Sequence, residues 1–208
     1  MIATVHPALQ HLPKGWMDHG EQILALLEQH RPAVVVELGT CLGRSAVAIA
    51  RVIQTWGGVL YCVDTWAGRP HRGRQAPPVR LWMAARNLQM AKVAPWVRLI
   101  AGTTQEVAQA WPGPLIDFLY VDADHHEDAC RRDLDLWVPH VRPGGLIVGD
   151  DYGNPLCPGV QPAWDSFERD AGVPLQRVPT PGTDSPAMRL VYGQIPICGG
   201  YNTSETSW

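Results

Sequence analysis

Two acid-rich turns carry the strongest chemical signal in this 208-residue chain. Apolar Ile116–Val121 runs into Asp122-Ala123-Asp124-His125-His126, and apolar Leu146–Val148 runs into Gly149-Asp150-Asp151-Tyr152. Carboxylates at the ends of buried strands are costly unless something pairs with them, and strand carboxyl ends are where open α/β sheets place ligands. Hard oxygen donors of this kind suit Mg²⁺, Mn²⁺ or Ca²⁺. Three of them would leave coordination positions for water and a chelating substrate, lowering the pKa of a bound hydroxyl. The plainer reading is that Asp122 and Asp150 cap helices or bind loop amides. His125 and Asp124 compete as general base. Histidine is the better match, with an ordinary pKa of about 6.5 against about 3.9 for aspartate. Asp124 then orients His125 or positions the metal site. His126 starts the next helix, and His140 reads as a solvated loop residue.

A second constellation lies in VVVELGTCLGRSAVAIAR, where Glu37, Gly39, Thr40, Gly43 and Ser45 stand between a strand and a helix. Glycines there let the backbone turn sharply and approach a ligand closely. The spacing is G-x-x-x-G, not the G-x-G-x-x-G of dinucleotide-binding enzymes. The helix N-terminus near Arg44-Ser45 would aim its amides at an anionic group such as a carboxylate. Glu37 would accept a hydrogen bond from an ammonium, and an amino-acid head group satisfies both. Asp64 ends the next strand, 25 residues after Gly39, where a carboxylate suits the two hydroxyls of a ribose. Beside it Thr65 and Trp66 follow, the indole placed to stack on a base or close the pocket. The alternative is that Glu37 and Asp64 simply cap turns. A ligand joining an amino acid to a ribonucleoside is S-adenosylmethionine. Gly102-Thr103-Thr104 follows the third strand, and Cys41 reads as a small filler in the glycine loop.

The elements that must position these residues follow from periodicity. Helices are expected at Gly20–His30, Ser45–Thr55, Val79–Val93, Thr104–Trp111, Glu127–Val138 and Ala163–Ala171. Strands are expected at Ala33–Leu38, Val59–Val63, Val97–Ile100, Ile116–Val121 and Leu146–Gly149, with weaker ones at Leu175–Val178 and Ala187–Tyr192. Strands apolar throughout and separated by helices indicate a parallel sheet covered on both faces, a doubly wound α/β domain.

A hydrophobic content of 46% and a charged content of 18% describe an ordinary globular protein, and a net charge of −3 leaves no footprint for nucleic acid. No apolar run approaches the roughly 18 residues needed to span a membrane. Five scattered cysteines, none in a CxxC pair, argue for a reducing compartment, so a cytoplasmic setting is expected. The nineteen prolines crowd loops, which makes those connections rigid rather than disordered.

The motifs VVVELGTCLGRSA, YCVDTW, DFLYVDADH and GGLIVGDDY, in that order, resemble the class I S-adenosylmethionine-dependent methyltransferases. Within them the chain is most similar to the metal-dependent macrocin O-methyltransferase-like group, with catechol and caffeoyl-coenzyme A O-methyltransferases as more distant relatives. The resemblance covers Ala33–Tyr152 and implies a Rossmann-like seven-stranded mixed sheet whose last strand is antiparallel. It implies Mg²⁺ on Asp122, Asp150 and Asp151, and a donor contacted by Glu37, Gly39, Thr40, Gly43, Ser45, Asp64, Thr65, Trp66, Thr103 and Asp122. By the family pattern His125 occupies a catalytic lysine's position, and a homodimer follows by analogy alone. The expected organisation is an N-terminal helical segment 1–32, the methyltransferase domain 33–195 and a polar tail 196–208.

The expected activity is O-methylation of a small hydroxylated acceptor such as a sugar, phenol or secondary metabolite. A metal-independent methyltransferase and a non-catalytic nucleoside-binding module of the same fold are the alternatives, and the glycine spacing disfavours a nicotinamide dehydrogenase. Substrate choice would lie in the basic loop Arg69–Arg74, read as either a lid or a solvated loop, and in Asp151–Pro162, with Tyr152 and Trp164 as stacking groups.

Overall fold

The computed structural model describes residues 6–13, 19–67, 77–179 and 189–197. The basic loop Arg69–Arg74 and the polar tail 199–208 lie outside the described residues. The elements run α1 (Gly20–His30), β1 (Val34–Leu38), α2 (Arg44–Ile53), β2 (Val59–Asp64), α3 (Pro77–Met90), β3 (Val97–Ala101), α4 (Thr104–Gln109), β4 (Ile116–Val121), α5 (Glu127–Trp137), β5 (Val141–Tyr152), α6 (Val160–Ala171), β6 (Leu175–Pro179) and β7 (Arg189–Gln194). Every expected element is found, and the differences are at the ends. Helix α3 starts at Pro77 because the first turn of a helix needs no N–H partners, so prolines are tolerated there. Strand β5 starts at Val141, five residues before its apolar run, because Val141 pairs with Ile116.

The seven strands order as β3-β2-β1-β4-β5-β7-β6. Strand β1 is parallel to β2 and β4, β2 to β3, and β4 to β5, whereas β7 is antiparallel to both β5 and β6. This is the mixed Rossmann-like sheet with an antiparallel last strand. Alternation along the strands divides the core in two. Val35, Leu60, Phe118, Tyr120 and Val148 face Ile23, Leu27, Val47 and Ile49 of α1 and α2. Val36, Leu38, Leu119, Val121 and Ile147 face Leu134, Trp137, Trp164 and Phe167 of α5 and α6. Both faces are covered, which is why the strands read as continuous apolar runs. Strand order reverses between β1 and β4, so their carboxyl ends open a crevice at the topological switch point.

Candidate active site

The two loops at that crevice meet at Gly39. Its φ is +92°, and a Cβ there would stand 1.9 Å from the Asp122 carbonyl oxygen, so only glycine fits. Gly43, at φ +81°, precedes α2 with no side-chain cap. The opening amides of α2 are thus left for an anion. Glu37 is fully buried beneath this loop. Its carboxylate accepts hydrogen bonds from Thr40 Oγ1 at 2.7 Å, from Ser45 Oγ and from the Cys62 thiol at 3.4 Å. Burial pushes the carboxyl above its ordinary value, and those donors offset the push only in part. Asp64 accepts from the Cys41 amide at 2.7 Å and the Trp66 amide at 2.6 Å. The stacking role suggested for Trp66 is corrected by its burial. The ring is 1% exposed because its N–H reaches back to the Cys41 carbonyl, 2.9 Å away, and braces the glycine loop from below. Thr65 is exposed at the loop surface and accepts from the Ala67 amide. Thr103 caps α4 in a reciprocal box with Glu106, which engages its hydroxyl.

Across the crevice, His125 stands between two acids. Its Nε2 lies 3.4 Å from Asp122 Oδ1 and 3.3 Å from Asp151 Oδ2, while its Nδ1 lies 3.1 Å from Cys157 Sγ. Burial, with Asp150 and Asp151 adding like charge, raises Asp122 to about 7 against the lowering by His125. The adjacent acids of β5 face different partners across a bulge that breaks the regular pleat. Asp150 is turned onto the α1 face, where Oδ1 receives His19 Nδ1 at 2.7 Å and the Asp151 amide at 2.9 Å, and Oδ2 receives the Tyr120 hydroxyl at 2.8 Å. Asp151, at φ +59° in a bulge of the β5–β7 ladder, takes Asn154 Nδ2 on Oδ1 at 2.6 Å. Asp124, expected to orient His125 or to position the metal site, makes its side-chain hydrogen bonds to His126, with the amide at 3.0 Å and the ring at 2.6 Å. Those contacts outweigh its partial burial and hold it below the ordinary value. Tyr152 and Trp164, expected as stacking groups, are buried. Tyr152 donates to Asp165 and Trp164 packs under Gly149.

Residues 36–152 match a family model described as a methyltransferase domain. The chain belongs to that family. Over 143 residues it is 27% identical to the rhamnosyl O-methyltransferase of Mycobacterium tuberculosis, covering 66% of this chain and 54% of that protein. An uncharacterized protein of Sinorhizobium fredii is 28% identical over 139 residues, which are 66% of this chain and 15% of that one. The chain therefore spans only part of the length of these curated relatives. Among solved structures, the Bacillus cereus O-methyltransferase in complex with SAH aligns with a TM-score of 0.71 at 16% identity, over 93% of each chain. TomG of Streptomyces achromogenes, an O-methyltransferase of tomaymycin synthesis in complex with SAM, aligns at 0.70 and 19% identity, over 94% of this chain and 92% of that one.

This methyltransferase domain brings Asp122, His125 and Asp151 together and sets Gly39 against the Asp122 carbonyl, whereas Asp150, expected beside Asp122 and Asp151, turns to His19 and Tyr120. It adds His19, Tyr120, Asn154 and Cys157, which sequence reasoning did not single out. For Tyr120 a signal existed: two residues before Asp122 on a strand, it lies on the same face. His19 meets Asp150 from 131 residues away, and nothing local announces it.

Proposed function

We propose that this methyltransferase domain transfers a methyl group from S-adenosylmethionine to a hydroxyl of a small molecule, with His125 as the base. The observation that carries this reading is the His125 ring, seated between Asp122 and Asp151 at the edge of the glycine-loop crevice. The name of the rhamnosyl relative favours a sugar hydroxyl as acceptor. In this reading Gly39, Thr40, Gly43 and Ser45, with the first amides of α2, receive the amino-acid end of the donor. Glu37 sets the shape of that loop through Thr40 and Ser45 and is the acid nearest an ammonium there. Asp64 takes the ribose, with Thr65 at its edge and Trp66 bracing it from below, and Thr103 and Asp122 border the nucleoside. His125 removes the acceptor proton as the oxygen attacks the methyl carbon in line, so proximity supplies much of the acceleration. Cys41, Cys62 and Cys130 are free thiols, which supports a reducing, cytoplasmic setting. Among the described residues no helix is long and apolar enough to cross a membrane.

Asp122, Asp150 and Asp151 are the residues that would hold Mg²⁺. An all-carboxylate set is its chemistry, but the three carboxylates do not converge: their ligand atoms do not all lie within 4.8 Å of one another, and Asp150 is turned to His19 and Tyr120. The elevation of Asp122 by burial and by its two acidic neighbours is a cost that a cation relieves. The bound ion would polarise a coordinated hydroxyl and ease its loss of a proton. A second reading, transfer without a metal, is favoured by the three donors already on Asp150.

Methyl transfer to a panel of glycosides and phenols, with and without chelator, separates these readings. We expect His125→Ala to lower kcat by about 10²–10⁴ with S-adenosylhomocysteine affinity unchanged, and Asp124→Ala to leave kcat within about threefold. An unchanged rate in His125→Ala would overturn the base. Activity equal in chelator and in Asp150→Asn would remove the metal. Tight nucleoside binding with no transfer to any acceptor would leave a binding module.

A further inference from the structure

We propose that His125, Asp151 and Cys157 form a binding site for a thiophilic divalent ion, with Zn²⁺ as the best fit. Among the described residues this is the one group of three or more His, Cys, Asp or Glu side chains whose ligand atoms all lie within 4.8 Å of one another. Cys157 Sγ is 3.1 Å from His125 Nδ1 and 3.4 Å from Asp151 Oδ2. Ligands at zinc distances of about 2.0–2.3 Å in a tetrahedron stand about 3.3–3.7 Å apart, so small adjustments close the set. The sulfur decides the class of ion, because a thiolate is a poor ligand for Mg²⁺ and a strong one for Zn²⁺.

The surroundings already orient the ligands. Asn154 Nδ2 holds the far oxygen of Asp151 at 2.6 Å, leaving Oδ2 toward the cysteine. Asp122 Oδ1 lies 3.4 Å from His125 Nε2, which is also 3.3 Å from Asp151 Oδ2, while Nδ1 faces Cys157, so Nδ1 becomes the ligand nitrogen once Asp151 Oδ2 turns from Nε2 to the ion. The backbone fixes the third ligand. A chain of turns, Asn154 N to Asp151 O at 3.0 Å and Cys157 N to Asn154 O at 2.9 Å, folds Cys157 back over β5. Gly159 lets that turn lie against the next loop, since a Cβ there would stand 2.4 Å from Glu127 N and 2.6 Å from His125 O. Three protein ligands leave a fourth position for water. Binding takes the thiolate, so the Cys157 proton passes to solvent.

One consequence rests on the proposed function. An ion here takes the His125 nitrogen and Asp151, so it excludes base chemistry and competes with Mg²⁺ for Asp151.

The test uses the full chain and Co²⁺ as the probe. Wild type should show a thiolate-to-cobalt charge-transfer band in the near ultraviolet that Zn²⁺ removes. Cys157→Ser should abolish the band, while Cys41→Ser, at an exposed thiol, and Cys130→Ser, at a buried one, keep it. His125→Ala and Asp151→Asn should weaken Co²⁺ affinity by at least about tenfold, with circular dichroism unchanged. Absence of the band in wild type, or its survival in Cys157→Ser, would overturn the site. Failure of methyl transfer bears on the proposed function and leaves the band untouched.

Discussion

Glu37 and Asp150 are two buried carboxylates at the same edge of one sheet, and their environments shift them in opposite directions. Burial raises both. For Glu37 the donors are two hydroxyls and a thiol, and burial prevails. For Asp150 the His19 imidazole, the Tyr120 phenol and a backbone amide prevail instead, and the carboxyl sits below its ordinary value. The charged form of the carboxylate is favoured where the fold supplies an imidazole and an amide, and disfavoured where it supplies only neutral side chains. It also separates the two halves of the site. Two of the three donors to Glu37 lie within eight residues of it, whereas His19 reaches Asp150 across 131 residues.

The largest effect is expected from His19→Ala, which takes the imidazole from a nearly buried carboxylate and leaves it only the Tyr120 hydroxyl and the Asp151 amide. It should cost about 3–5 kcal/mol in urea unfolding, with His19→Gln recovering part of it through a retained donor. A loss no larger than that of a surface substitution would show that the His19–Asp150 contact carries no energy. Next is Gly39→Ala, whose Cβ would collide with the Asp122 carbonyl. We expect a loss of about 2–3 kcal/mol from overpacking and weakened S-adenosylhomocysteine binding by calorimetry.

The opposite shifts sharpen the comparison through pH, measured in chelator. Glu37 binds its proton more tightly folded than unfolded, so its burial penalty is full above its raised pKa and disappears as pH falls to 4.5 and below. Wild type should therefore gain stability relative to Glu37→Gln as pH falls. Asp150 behaves inversely. Its contribution is present above 3.8 and lost as pH falls through its lowered pKa, so wild type should lose stability relative to Asp150→Asn at the acid end. Parallel slopes would erase the distinction. The smallest effect is expected from Asp124→Ala, which removes an exposed pair with His126 and should change stability by less than about 1 kcal/mol.

Much of the architecture is legible in the sequence. Runs at Val34–Leu38 and Ile116–Val121 that are apolar but for one acid each, Glu37 and Asp117, require cover on both faces, which makes the sheet parallel and doubly wound. The glycine loop was legible because Gly39 and Gly43 answer to backbone geometry, a local property. Trp66 was less so. Its type suggested stacking, but the bond from its indole to Cys41 tucks the ring under the loop. Asp124 likewise stands at a spacing suited to a base, while its contacts run to His126.

By itself the chain sequence determined which residues stand at the carboxyl ends of the strands, since strand length and alternation are written along the chain. It placed Glu37, Gly39, Asp64, Asp122, His125, Asp150 and Asp151 at one edge. Only the tertiary structure decided what those groups face. Asp150 and Asp151 are neighbours in the chain, yet with the bulge at Asp151 one meets His19 and Tyr120 and the other Asn154, His125 and Cys157. The physical reason is that spacing specifies a direction relative to the strand, whereas a partner is whatever another segment brings there.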